Sequence, residues 1–381
     1  MLIYKKLRFL YHLWKLFVHY PAKSFFQRFK VLADYLHLRR TKGLTPEEYN
    51  LFHLFERSES FRHDFLGENE QRYYLDLLNP TNYYIIARNK YLAHKILEAT
   101  GIPMATLYGY YDPTAGRGGD NIARTPDEML QILKSQNVQE CVIKTTESSH
   151  GNNVQVVRQI NYDLGMATLH SGEEQPFATM LGNKPLIFER CLRQTAQLSS
   201  INASSVNTVR FMTLLYPDGS VKIPATFIKI GREGRCVDNA GAGGNVDASI
   251  NTETGIMEHA IRFDGWEHIA DVDVHPDSGA AINGVQIDNW PEICQKVKEF
   301  QQALPFVKAA GWDIALTEEG PCVVEVNDMW DRTGQLFIQR GWRSEIRDCF
   351  LAWQQNNLFY EFGRLTNELP VRKLKRIVSQ P

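Results

Sequence analysis

Toward the carboxyl end, the run Gly311-Trp312-Asp313-Ile314-Ala315-Leu316-Thr317-Glu318-Glu319-Gly320-Pro321-Cys322-Val323-Val324-Glu325-Val326-Asn327 spaces acidic and amide side chains through two apolar stretches. Glu-Glu-Gly reads as a three-residue hairpin loop, with glycine where φ must be positive. In that register Thr317 lies opposite Pro321 and Asp313 opposite Glu325. Asn327 shares the Glu325 face, two residues on, while Val324 and Val326 point the other way. Two carboxylates and an amide oxygen then converge on one spot. Opposed carboxylates on adjacent strands repel, and burying them is costly unless something positive sits between. A hard divalent cation meets that need, such as Mg²⁺ holding nucleotide phosphates. A solvent-facing acidic stripe on an edge hairpin would use the same spacing.

These side chains depend on the elements around them. Apolar runs predict strands at 104–110, 140–144, 153–158, 185–190, 207–216 and 221–230, besides 311–317 and 322–327. Helices are predicted over 2–19, 22–40 and 89–99, after Thr45-Pro46, and near 161–169 and 289–303. The capping box Thr125-Pro126-Asp127-Glu128 opens another, to about Gln136. Asn89 and Lys90 read as a helix cap and a surface residue. Strands in runs with helices set apart argue an α+β fold rather than a doubly wound parallel sheet.

At 381 residues, 43% hydrophobic and 23% charged, the chain is no disordered or collagenous protein. Its 42 Lys+Arg and 44 Asp+Glu nearly cancel, to −2, but unevenly. Residues 1–42 hold ten basic residues and one acid, Asp34, so this arm carries +9 and the remainder −11. The six cysteines form no C-x-x-C pair and read as reduced thiols in a reducing compartment. The longest charge-free stretch of the first helix, Phe9 to Trp14, is far too short to span a bilayer. A cytoplasmic protein is therefore expected. Residues 1–42 suit peripheral contact with the inner face of the membrane, or packing on the acidic body. Nucleic-acid binding is not expected, since no binding module accompanies the charge.

Asp313, followed a dozen residues later by Glu325-x-Asn327, resembles the metal-binding signature of the ATP-grasp superfamily. The chain is more closely similar to the sugar-transfer-associated branch, through Val206-Asn207-Thr208-Val209-Arg210, Val237-Asp238-Asn239 and Gly243-Gly244 as well. The likeness runs from about residue 80 to 345. It implies an ATP-grasp fold of two α+β lobes clamping ATP, preceded by a smaller N-terminal domain. On that pattern the chain divides into a basic arm (1–43), a pre-ATP-grasp domain (44–136), a small lobe (137–205), a large lobe with the hairpin (206–345), and a C-terminal helix and basic tail (346–381).

The resemblance also implies ATP with one or two Mg²⁺, or Mn²⁺ in their place, as cofactors. Asp313, Glu325 and Asn327 would be metal ligands. Lys144 would reach the phosphates, and Thr145 to Asn153, including His150 and Gly151, would cover them. Glu189, Cys191 and Leu192 on the hinge strand would meet adenine, and Arg210, Lys229 and Asn239 would surround the transferring phosphoryl group. Two features depart from the family pattern. The covering loop has one glycine, and no acid follows the hinge for the ribose, where Gln194 or Gln197 would substitute.

The implied activity is ligation. ATP would phosphorylate a carboxylate on a small-molecule or glycan-linked acceptor, and an amine donor would displace phosphate, on a surface-polysaccharide or envelope precursor. A kinase of the same fold acting on a sugar hydroxyl and a non-catalytic nucleotide-binding scaffold are the alternatives. The sequence leaves the oligomeric state open.

Overall fold

The computed structural model describes residues 2–20, 24–115, 119, 121–147, 154–236, 238, 244–263 and 269–355. The chain forms two compact units: one of Met1–Thr81, Tyr216–Asp218 and the chain from Met329 on, the other of Asn82–Leu215 and Gly219–Asp328.

Five helices open the first unit: α1 (Leu2–His19), α2 (Phe25–Lys42), α3 (Pro46–Leu51), α4 (Glu59–Asp64) and α5 (Glu68–Leu78). Local chemistry sets their ends. Ser24 caps α2 by accepting from the Gln27 N–H, and Gly43 at φ 71° closes it in the left-handed conformation. Thr45 and Glu48 form a capping box at α3, with Pro46 in its first turn. The rings of Tyr20 and Tyr35 lie 5.9 and 5.4 Å from that of Tyr49, tying α1 and α2 to α3.

The second unit begins with α6 (Tyr84–Arg88) and α7 (Lys90–Ala99) and then builds two seven-stranded sheets. The first contains β1 (Leu107–Tyr111), β2 (Ile122–Ala123), β3 (Cys141–Thr145), β4 (Val154–Asn161), β5 (Met166–Leu169), β6 (Glu174–Pro176) and β7 (Leu186–Glu189). Their order is β2-β1-β7-β3-β4-β5-β6. α8 (Pro126–Ser135) packs Met129 and Leu133 into its core, and α9 (Phe177–Leu181) adds Phe177. The helix predicted near 161–169 is absent. Asn161 Oδ1 instead accepts from the Leu164 N–H, Gly165 turns at φ 62°, and β5 pairs back onto β4. The asparagine and glycine impose a tight turn that outweighs the helical spacing of the apolar residues.

After α10 (Ala196–Ile201) comes the second sheet: β8 (Thr208–Leu215), β9 (Val221–Ile230), β10 (Val246–Ile250), β11 (Met257–Phe263), β12 (Ile269–Val272), β13 (Ala309–Thr317) and β14 (Gly320–Asn327). Its order is β12-β11-β10-β9-β8-β13-β14, antiparallel throughout. β10 to β12 were not anticipated from the sequence. α11 (Trp290–Ala303) presents Trp290, Ile293, Val297 and Phe300 at helical spacing to a core that includes Phe211 and Trp312. The Trp290 and Phe211 rings stack at 5.3 Å. Each such side chain stabilises the fold by about 1.5–3 kcal/mol on burial. Because strand side chains alternate, Val209, Phe211, Ile228, Trp312 and Ile314 fill this core while Arg210, Lys229 and Asp313 emerge on the other face.

The chain returns to the first unit with α12 (Gly334–Phe337) and α13 (Arg343–Gln355). There Arg343 Nε donates to the buried Glu70 carboxylate at 2.8 Å, and the rings of Trp330 and Trp342 meet edge to face.

Candidate active site

A cleft of about 670 Å³ in the second unit gathers side chains from both sheets. β3 and β4 contribute Val142, Lys144, Val154 and Val156; β13 and β14 contribute Asp313, Val324 and Glu325. Lys229 of β9, Lys90 of α7 and the segment from Arg190 to Gln194 complete this part of the lining.

The acidic hairpin reaches its place by a different register from the one read in the sequence. Thr317 pairs with Gly320, not Pro321, so the loop is two residues, Glu318 and Glu319, and Gly320 takes φ 107°. A bulge between Asp313 and Ile314 then sets Ile314 opposite Val323. The two offsets cancel, and Asp313 faces Glu325. The same bulge reassigns the valines. Val323 joins Val326 in the core, and Val324, expected to point away from the site, lines the cleft.

Glu189, Asp313 and Glu325 are each paired with a cation here. Asp313, 3% exposed, takes both forks of Arg210, Nε to Oδ1 at 2.5 Å and NH2 to Oδ2 at 2.7 Å, with Lys229 Nζ 3.1 Å from Oδ1. Burial alone would raise the Asp313 carboxyl, but Arg210 and Lys229 hold it down at about 2. Glu189 is the second centre, with Lys144 Nζ at 2.6 Å and His94 Nε2 at 2.5 Å. Burial is again overcome by Lys144 and then His94, leaving this carboxyl also at about 2. Glu325 pairs with Lys90 at 3.3 Å. Asp238, raised by burial, accepts from the Thr208 N–H at 2.7 Å and from its hydroxyl.

Of the residues singled out from the sequence, Lys144, Glu189, Cys191, Leu192, Lys229, Asp313 and Glu325 line this cleft. Arg210 joins them through Asp313 without lining the cavity. Asn327 is not among the lining residues; its Nδ2 donates to the Gly311 carbonyl at 3.2 Å. His150, Gly151 and Asn239 lie outside the described residues. Of the two glutamines considered for the ribose, Gln194 lines the cleft with its Nε2 donating to the Asn202 carbonyl, whereas Gln197 does not line it and its Nε2 donates to the Gln286 carbonyl.

Two site residues escaped the sequence reading. Lys90, taken for a surface residue, has a side chain 16% exposed and reaches Glu325. Asn89 caps α7 as expected, and the Lys90 N–H is anchored by the Thr146 carbonyl at 2.9 Å. One turn along, His94 reaches Glu189 across 95 positions of sequence. An Asn-Lys helix start with His four residues later was the only local signal.

Among the described residues no three His, Cys, Asp or Glu side chains gather closely enough to hold a metal by themselves. The hairpin offers two carboxylates and an amide, an all-oxygen set that fits a Mg²⁺ whose remaining ligands are phosphate oxygens and water. The surrounding lysines fit the phosphates, so the donor set suits a nucleotide with its metal.

No curated protein is detectably similar to the chain. Several solved structures are similar to it. Phosphoribosylamine–glycine ligase of Thermotoga maritima is 12% identical over 77% of this chain and 59% of its own, with a TM-score of 0.44. Biotin carboxylase of Campylobacter jejuni is 8% identical over 80% and 54%, with a TM-score of 0.42. An N5-carboxyaminoimidazole ribonucleotide synthetase in complex with ADP is 13% identical over 64% and 45%, with a TM-score of 0.37. The chain thus spans about half the length of these proteins. Residues 69–349 match the family described as sugar-transfer associated ATP-grasp. Read with the two-sheet α+β architecture around a charged cleft, that match makes this chain a member of the sugar-transfer-associated ATP-grasp family.

Proposed function

We propose that this protein binds ATP and Mg²⁺ in the cleft and uses them to join a carboxylate to an amine, releasing ADP and phosphate. One observation carries this most: Glu189, Asp313 and Glu325 stand against Lys144, Arg210, Lys229 and Lys90 in one cleft, each sign neutralising the other. A triphosphate offers these cations alternative anionic partners, and a divalent metal offers the carboxylates an alternative cation. Burial of either sign alone would be costly.

Cys191 and Leu192 would border adenine, with Val142, Val154 and Val324 as apolar surface for the purine. Lys144 and Lys90 would orient the phosphates, with His150 and Gly151 closing over them. Arg210, whose planar fork binds two oxygens at once, would face the transferring group beside Lys229 and Asn239. Mg²⁺, held by Asp313, Glu325 and Asn327, would neutralise charge on the phosphate oxygens. The protein's part is positioning and charge neutralisation.

The acceptor's carboxylate oxygen attacks the terminal phosphorus, and the bond to ADP breaks. The amine nitrogen then attacks the acyl carbon, the bond from that carbon to the bridging oxygen breaks, phosphate leaves with that oxygen and the electron pair, and the surplus amine proton passes to solvent. The family's association with sugar transfer favours a glycan-linked acceptor in surface-polysaccharide or envelope synthesis, and ATP supply favours the cytoplasm.

The test is ADP release by purified protein with ATP, Mg²⁺ and a panel of amino acids and acidic sugars, repeated with hydroxylamine. A ligase gives a hydroxamate. A sugar kinase gives ADP without one, and a scaffold gives neither. Formation of AMP, or turnover that survives Asp313→Asn combined with Glu325→Gln, would sink the proposal.

A further inference from the structure

The two N-terminal helices have an inner face and an unusual outer one. Leu16 of α1, Tyr20 just after it, and Val31, Tyr35 and Leu38 of α2 are buried within the first unit. On the outside, Leu10, Trp14 and Val18 are exposed at four-residue spacing along α1, and Phe25, Phe26 and Phe29 at the start of α2. Trp14 is 55% exposed and Phe26 79%. Where α1 ends and α2 begins, Phe17, Phe25 and Phe29 meet edge to face at 5.2–6.2 Å and join the two sets. Arg28 ties α2 to the end of α1 by donating to the carbonyls of Phe17 and Val18. Protein surfaces in water rarely leave so many large apolar side chains together.

Basic side chains predominate on these two helices, and Glu47 of α3 meets Arg8 and His12 of α1. Lys15, Lys30 and Arg40 of the same helices are exposed. Asp34, the single acid of residues 1–42, is already bound by the Tyr49 hydroxyl and Arg62. A second copy docking on this patch would bring +9 against +9. A nucleic acid would meet the charge but leave Leu10 and Val18 in water. An anionic bilayer complements both features. Aromatic rings lodge at the headgroup–acyl boundary, and lysines and arginines meet lipid phosphates.

We propose that the α1–α2 hairpin is a peripheral docking element for an anionic membrane surface. This rests on the hairpin alone and not on the reaction assigned to the cleft. Among the described residues no helix is long and apolar enough to cross a membrane, so the contact is with the surface.

The test is flotation of the full chain with vesicles of phosphatidylcholine, alone or mixed with phosphatidylglycerol. The protein should float with the mixed vesicles and not the neutral ones, and 1 M salt, which shortens the screening length to about 3 Å, should release it. Lys15→Gln with Lys30→Gln should lower the partition coefficient about 30-fold, each basic residue contributing roughly fivefold. Trp14→Ser with Phe26→Ser should abolish flotation while circular dichroism and the urea midpoint stay unchanged, both side chains being exposed. Equal binding to both vesicle types, no binding to either, or binding indifferent to the Trp14/Phe26 variant overturns the proposal. So does a wild-type dimer, or an RNA complex, that the same variant disperses in the absence of vesicle binding.

Discussion

Glu189→Gln isolates the charge logic of the cleft. Glu189 is 3% exposed and bears Lys144 on one oxygen and His94 on the other. The amide keeps the shape but leaves Lys144 buried without its counter-charge. Breaking a buried pair from one side costs about 3–5 kcal/mol. The depressed carboxyl points to a similar size: Glu189, ordinarily at 4.5, is held at about 2 by Lys144 and His94 against the opposing effect of burial. At about 1.4 kcal/mol per tenfold, that is worth about 3 kcal/mol. The sign follows from a depressed carboxyl. Its contribution is present above pH 4.5 and disappears as pH falls toward 2, because the unfolded chain takes up the proton first. Wild type should therefore lose stability through that window, and the variant should begin lower and lose less. Urea unfolding at neutral pH should show a midpoint lower by about 1–3 M, for a loss of about 3 kcal/mol and a slope of about 1–3 kcal/mol per molar. Saturating ATP with Mg²⁺ should restore more stability to the variant than to wild type, since the triphosphate gives Lys144 the anion it lost. A variant as stable as wild type at neutral pH, or one that gains no more from ATP, refutes this reasoning.

The other perturbations follow the same geometry. Asp313→Asn removes the anion shared by Arg210 and Lys229; turnover should fall about 10²–10³-fold and half-saturating Mg²⁺ should rise about 10–100-fold, both read from initial rates. Lys90→Met, which deletes the contact to Glu325, should raise the KM for ATP about 10-fold, the size of one charged hydrogen bond, with the fold intact by circular dichroism. Trp290→Ala opens a cavity above Phe211 and should cost about 3–5 kcal/mol in urea unfolding. In the first unit, burial pushes the Lys42 amine down to about 8 from 10.5. The unfolded chain holds that proton longer, so stability should rise from pH 8 to 10.5, and Lys42→Met should flatten the rise.

What the sequence revealed depended on distance along the chain. The hairpin from Gly311 to Asn327 is local, so alternation and a loop glycine were enough to set Asp313 against Glu325. A bulge leaves no mark in composition, and the loop length and the role of Val324 were accordingly misread. Lys144 and Arg210 close or interrupt apolar strands and could be picked out. Lys90 and His94 could not, because only the packing of α7 brings them to Glu325 and Glu189. β10 to β12 were missed because Asp247, His259 and Asp271 break their apolar runs, although Val246, Ala248 and Ile250 alternate as strand residues do. The stretch near 161–169 had helical spacing, but Gly165 turned it into a hairpin.

Isotope transfer bears most directly on the central claim. An acceptor acid labelled with ¹⁸O in its carboxylate should hand one labelled oxygen to the phosphate released with ADP, because the acyl phosphate forms through that oxygen and breaks on its carbon side. Turnover that yields amide product and wholly unlabelled phosphate would contradict the account.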